Sequence, residues 1–286
     1  MALRIKKFDP RTITAGKIIF LLGRRASGKS HLMKELLYYM SKPDLVVAMS
    51  PTRDSLNTFE TFLPKTCIFD RFSQHVVDTI VTVQRELVKK NKKRTVLLIL
   101  DDCIYQKGVL KSESMRYILW NGRHDHISLM CIVQYMMEVE CGLRGNIDYV
   151  FAMREFAKNN REKLYKHFFC HFDKFDIFDK VMTACTENYK CLVLDTTVKS
   201  AVATDTVKWY KAAIETPPFK LCKSVYWKMS KKCLLSSDDI DRRNASFSAS
   251  MSSADIYNDG IGGGGTSKKC QLVLVEIEDE EGNVVR

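Results

Sequence analysis

The chain of 286 residues contains no run of about 18 or more apolar residues, so no membrane-spanning helix is expected. Nothing apolar follows the basic start Met1-Ala2-Leu3-Arg4-Ile5-Lys6-Lys7, so a secretory signal is not expected either. Ten cysteines are present, but none forms a CxxC pair and they are scattered. That argues against a disulfide framework and for a reducing compartment. Cys103, Cys131 and Cys191 lie inside apolar runs, where cysteine behaves as a small hydrophobe. His167, Cys170 and His171 have no second pair at a spacing that would complete a four-ligand metal site. They sit among Phe168, Phe169 and Phe172 and read as an aromatic packing helix. No internal repeat is found.

What is present is a core-forming composition, 45% hydrophobic, and a net charge of +11. The charge is unevenly placed. From Thr216 to the end there are as many acidic as basic residues, so the whole excess precedes Thr216. A basic body suits a polyanionic partner, nucleic acid above all, although a merely basic soluble surface would look the same.

Apolar runs at Ile18–Leu22, Leu45–Met49, Thr95–Leu100, Ile127–Val133 and Tyr149–Met153 read as buried strands. Shorter strands are expected at Thr66–Phe69, Cys191–Leu194 and Val207–Tyr210. Helical spacing appears at His31–Met40, Ser73–Lys90, Met115–Trp120, Lys158–Phe169 and Ile177–Thr186. In the second of these, Val76, Val77, Ile80, Val83, Leu87 and Val88 are expected to face inward. The alternation predicts an α/β fold, a doubly wound and mainly parallel sheet with helices on both faces. Residues 1–215 are expected to form this domain. Residues 216–286, with a Ser/Asp-rich stretch and the Gly262–Gly265 tract, read as a mobile tail carrying a C-terminal β-hairpin.

Gly23-Arg24-Arg25-Ala26-Ser27-Gly28-Lys29-Ser30 matches the phosphate-binding pattern G-x-x-x-x-G-K-S, with a strand before it and a helix after. The glycines let backbone N–H groups turn around phosphate oxygens, and the helix start through His31 adds partial positive charge. Lys29 would reach the β- and γ-phosphates of ATP, and the Ser30 hydroxyl would bind Mg²⁺. Asp101 closes the strongest strand, where a carboxylate holds Mg²⁺, and Asp102 follows in the place of a group that polarises the attacking water. Taken alone, the Asp pair also fits a strand-ending turn. Gln134 ends the next strong strand and could face the γ-phosphate, though a polar residue at a strand exit is common. Arg123 and Arg144 flank that strand. Each reads as a surface arginine or as a finger reaching a neighbour's γ-phosphate. The Leu45–Met49 strand and a long helix lie between the two motifs. This suggests a strand inserted between their strands, as in helicases and translocases.

These and later blocks resemble the genome-packaging ATPases of nucleocytoplasmic large DNA viruses, the poxvirus packaging ATPase among them, in the FtsK/HerA superfamily. The blocks are G-R-R-A-S-G-K-S, L-L-I-L-D-D ending at Asp102, N-G-R-H at 121–124 and I-V-Q-Y at 132–135, then L-R-G-N-I-D-Y-V-F at 143–151, T-E-N-Y-K-C-L-V-L-D at 186–195 and W-Y-K-A from Trp209. The resemblance runs from about Ile13 to Ala213. It implies a RecA-like P-loop fold, Gln134 as a sensor, and Arg123 before Arg144 as the arginine finger. It further implies a homo-oligomeric ring, hexameric or pentameric, that pumps double-stranded DNA into a capsid. Such a ring would work at the assembly site in host cytoplasm or nucleus, or in the virion, beside capsid or membrane vertex proteins. Asp102 stands where the superfamily frequently has Glu. The alternatives are a small-molecule or nucleoside kinase, which would need an acceptor pocket and an Arg-rich lid, and a nucleotide-binding switch without turnover.

Overall fold

The computed structural model describes residues 4–103, 108–134, 141–233, 277–278 and 284–285. Its contacts divide the chain into two units, residues 1–63 with 68–222, and residues 64–67 with 223–286.

The first unit is built on one nine-stranded sheet. Its strands are β1 (Lys6–Lys7), β2 (Ile18–Leu22), β3 (Leu45–Met49), β4 (Ile68–Phe69), β5 (Val96–Asp101), β6 (Ile127–Val133), β7 (Tyr149–Ala152), β8 (Lys190–Asp195) and β9 (Val207–Lys211). Their order across the sheet is β1-β9-β8-β7-β2-β6-β5-β3-β4. From β4 to β7 every pairing is parallel, while β8 runs antiparallel to both β7 and β9. Strands β2, β3, β5, β6 and β7 are buried along their whole length, as parallel strands covered on both faces must be.

Alternate residues of these strands serve opposite faces. On one face Ile19, Leu21, Val46, Leu97, Met130 and Phe151 share a core with Leu32, Met33, Leu36 and Leu37 of α1 (Lys29–Tyr39). On the other lie α3 (Gln74–Lys89) and α4 (Glu113–Asn121), the latter packed on β6, and α7 (Phe175–Cys185) packed on β8. The remaining helices are α2 (Arg53–Glu60), α5 (Cys141–Arg144), α6 (Lys158–His167) and α8 (Ala203–Thr206). The architecture is the doubly wound, mainly parallel α/β sheet read from the strand and helix alternation.

Three details differ from the sequence reading. The strand inserted between β2 and β5 is β6, not the Leu45–Met49 strand, which pairs on the outer side of β5. In α3 the buried stripe is Val76, Val77, Ile80, Val81 and Gln84, while Val88 is exposed. The stripe follows the helical period into Gln84, whose side-chain amide donates to the Arg94 and Asp125 carbonyls at 2.8 and 2.9 Å. Helix α6 ends at His167. Phe168, Phe169 and Phe172 are buried in the chain that follows, where Phe169 and Phe172 pack on Phe178.

Residues 219–222 lie beyond the Thr216 boundary read from composition and pack within this first unit. Phe219 stacks on Phe62 at 5.1 Å, and the Leu221 amide donates to the Phe62 carbonyl. The second unit contains a 3-10 turn at Lys65–Cys67, a helix over 224–233, and an antiparallel pairing of β10 (Ile277–Glu278) with β11 (Val284–Val285). The Gly262–Gly265 tract lies outside the described residues.

Phe151 anchors the α1 face, fully buried with its ring edge-on to Phe8 at 5.4 Å. Phe151→Ala should cost about 3–5 kcal/mol of unfolding free energy in a urea titration. A loss below about 1 kcal/mol would show that this core is not the one described.

Candidate active site

Parallel pairing brings the C-terminal ends of β2, β5, β6 and β7 to one end of the sheet. The loop after β2 and the Asp pair after β5 both fasten onto β6. The Gly23 amide donates to the Val133 carbonyl at 3.2 Å, and the Asp102 amide to the Ile132 carbonyl at 3.0 Å. Gln134 follows on the same strand, and its side-chain amide donates to Asp102 Oδ2 at 3.3 Å. Asp102 adopts a left-handed backbone with φ 49°, which an Asp tolerates better than most residues. So Lys29, Asp101, Asp102 and Gln134 meet at one place.

The glycine positions of the loop are structural requirements. A Cβ on Gly23 would lie 2.6 Å from Met153 Cβ and 2.7 Å from Ser27 Oγ. Gly28, with φ 94°, caps the start of α1. Ala26 is held at φ 60°. This sequence of turns makes a concave loop that leads into a helix N-terminus, the arrangement that receives phosphate. Ser27 Oγ is buried there without a hydrogen-bond partner, which is the signature of a polar site fitted to a ligand. The Lys29 ammonium folds back on the loop and donates to the Gly23 carbonyl and, at 2.8 Å, to the Arg24 carbonyl. Arg25, Ser30 and His31 are at the surface of the loop and of the first helical turn, where a ligand can reach them.

The electrostatics oppose each other. Burial pushes the Asp101 carboxyl up to about 6; a hydrogen bond from Ser55 pulls it down, Asp102 raises it and Lys29 lowers it. Burial likewise lowers the Lys29 ammonium, against the pull of Asp102 and Asp101. A group that brought positive charge to Asp101 would relieve the strain on the carboxylate. A hydroxyl at Ser30 and a carboxylate at Asp101 are hard oxygen donors of the type that suits Mg²⁺.

Arg123 and Arg144 are not part of this cluster. Arg123 lies before β6 and beside Gly16 before β2, where a Gly16 Cβ would be 3.1 Å from Arg123 Cα. Arg144 precedes β7, and its guanidinium sits 2.7 Å from His167 Nδ1. Both are at the other end of the parallel strands, about 17 Å of strand length from the loop. Neither can serve the site of its own chain.

Three contributors were not read from the sequence. Ser55 on α2 bonds Asp101. Glu155, nearly buried after β7, pairs with Arg24 at 3.5 Å and accepts from the Ala157 amide. Met153 fills the space beneath Gly23. Thr52 as a helix start followed by Asp54 was the available signal for α2. The Arg24–Glu155 pair spans 131 residues and left no local mark.

In metal-free protein Asp101 gives a signed prediction. Its folded value of about 6 lies above the ordinary carboxylate value, so between about pH 4 and 6 the native state holds a proton that the unfolded state has lost. Stability should therefore fall as pH rises through that window, by up to about 3 kcal/mol. Asp101→Asn should abolish the fall and be more stable than wild type at pH 7 in EDTA. Parallel melting curves for the two proteins from pH 4 to 8 would contradict it.

No family model matches the chain. It is 31% identical over 201 residues to protein 088R of Invertebrate iridescent virus 3, which covers 70% of this chain and 77% of that protein. Over 206 residues it is 30% identical to protein 015R of Frog virus 3, covering 70% of this chain and 63% of that one. A protein of Acanthamoeba polyphaga mimivirus is 29% identical over 219 residues, 73% of this chain and 77% of its own length. Among solved structures, the DNA-packaging ATPase B204 of Sulfolobus turreted icosahedral virus aligns with a TM-score of 0.51 at 16% identity, over 70% of this chain and 98% of that one. At that identity the likeness is one of fold: a P-loop ATPase core. The chain belongs to the same family of viral proteins as protein 088R of Invertebrate iridescent virus 3, and it shares its fold with a DNA-packaging ATPase.

Proposed function

We propose that the protein is an ATP-hydrolysing translocase that drives viral double-stranded DNA into the capsid. The observation that carries the reading is the meeting of Lys29, Asp101, Asp102 and Gln134 at the ends of three adjacent parallel strands. A nucleotide cradle alone would need only the first of these. A carboxylate pair with a polar partner beside it supports hydrolysis.

The loop amides of residues 23–30 hold the phosphates, with Lys29 exchanging its carbonyl partners for phosphate oxygens. Ser30 and Asp101 would hold Mg²⁺, which supplies charge neutralisation at the phosphates when bound. Asp102 orients the attacking water and accepts its proton. Gln134, hydrogen-bonded to Asp102, sits where it can register loss of the terminal phosphate. Glu155 holds Arg24, and so the near side of the loop, through an ion pair.

The far position of Arg123 and Arg144 supports work in a ring, hexameric or pentameric, in which one subunit completes the site of the next. Arg123, exposed, is the first candidate for the finger, and Arg144, set against His167, the second. The excess of +11, all of it before Thr216, supports a polyanionic track gripped through its backbone. The membership of relatives in large DNA viruses, and the name of the packaging ATPase that shares the fold, support viral DNA as that track. The motor would act at the virus assembly site in the host cytoplasm or nucleus, docked on capsid or membrane vertex proteins. Residues after 222 would be an appendage to the motor domain, which extends past the Thr216 boundary read from composition. No helix among the described residues is long and apolar enough to cross a membrane.

ATP hydrolysis measured with and without double-stranded DNA tests the reading. Stimulation by DNA that weakens steeply between about 50 and 200 mM salt is expected, since released counterions drive such binding. Lys29→Ala should remove the activity. Absence of stimulation at low salt, or phosphoryl transfer to a nucleoside in place of hydrolysis, would overturn it.

A further inference from the structure

Strand β8 runs antiparallel to β7, so its beginning, not its end, lies at the nucleotide end of the sheet. The turn that delivers it there has an unusual backbone. Asn188 and Tyr189 are consecutive non-glycine residues in the left-handed region, with φ 53° and 61°. Such a conformation costs free energy for a bulky aromatic residue and persists only where its surroundings enforce it. Here the Lys190 amide closes the turn on the Glu187 carbonyl at 3.0 Å. Glu187 is in turn paired with Arg154 at the exit of β7, at 3.9 Å.

The strained turn exposes an aromatic ring beside the phosphate loop. Tyr189 is 69% exposed. A Cβ built on Gly28 would lie 3.3 Å from Tyr189 Cδ1. An apolar ring held at an energetic cost against the loop, yet left open to solvent, has no role in the core.

The direction of a bound nucleotide follows from the strand order. Asp101, Asp102 and Gln134 lie on β5 and β6, to one side of the loop on β2, and they mark the terminal-phosphate end. The other side holds β7 and then β8. From β6 to β8 there are three strand steps, about 14 Å at about 4.8 Å each. That is comparable with a nucleoside triphosphate laid from terminal phosphate to base. We infer that the exposed face of Tyr189 is the platform on which the base of the bound triphosphate stacks. This rests on the nucleotide-binding reading above and adds the group that recognises the base. The exposed Arg154–Glu187 pair links the turn to the exit of β7.

Binding of ATP and of inorganic tripolyphosphate to the full chain tests it, with wild type, Tyr189→Phe and Tyr189→Asn. Asn tolerates the left-handed backbone, so that variant removes the ring and keeps the turn. Tyr189→Asn should weaken ATP roughly 5- to 100-fold, the worth of one stacked base, and leave tripolyphosphate unchanged. Tyr189→Phe should retain both. Unchanged ATP affinity in Tyr189→Asn, or an equal loss of ATP and tripolyphosphate, overturns the stacking role. Failure of wild type to bind either ligand would instead overturn the nucleotide site itself, and this inference with it.

Discussion

Two consecutive carbonyls at the end of β6 hold the candidate site together. Val133 receives the Gly23 amide from the phosphate loop, and Ile132 receives the Asp102 amide from the end of β5. The loop and the carboxylates reach β6 from strands on opposite sides of it, so their mutual placement is set by the parallel register and by nothing longer-ranged. Gln134 is the next residue on the same strand, and its bond to Asp102 extends the arrangement into the side chains. A one-residue slip of β6 would turn every side chain to the wrong face and separate the groups. All seven residues of β6 are buried, so a slip would also misfit side chains of different size against the packed layers on both faces.

The price of this arrangement is visible in its charges. Asp101 is buried enough to be held near 6, and Lys29 is lowered for the same reason, each only partly relieved by the other. Ser27 carries a buried hydroxyl without a partner. Lys29 meanwhile occupies the carbonyls of its own loop. A triphosphate with its cation would answer these unmet demands together: negative oxygens for Lys29 and the loop amides, positive charge for Asp101. Sites matched to a ligand are characteristically unsatisfied in this way, at a cost to the stability of the empty fold.

Much of this could be read before the fold was seen, for physical reasons. A phosphate loop needs glycine at fixed places, and central parallel strands need uninterrupted apolar runs. The motif, the strands ending at Asp101 and Val133, and Gln134 were therefore legible. Contacts made by sheet order were not. That β6, rather than Leu45–Met49, separates β2 from β5 depends on the pairing of β2 with β6, segments more than 100 residues apart. Ser55 lies on a short helix with one fully buried apolar residue, Phe59, too weak a stripe to announce itself. Glu155 and Tyr189 flank the loop only because β7 and β8 pair beside β2. The distance of Arg123 and Arg144 from the site likewise emerged only once the strand directions were known.

Whether the groups gathered at the end of β6 cleave a nucleotide or merely hold it is decided at Asp102. Asp102→Asn separates the two, since it keeps the size and the backbone preference and removes the base. With a hydrolytic site, the variant keeps ATP affinity within a few-fold of wild type and hydrolyses ATP about 100-fold or more slowly in the same preparation. Hydrolysis at the wild-type rate in that variant would contradict it.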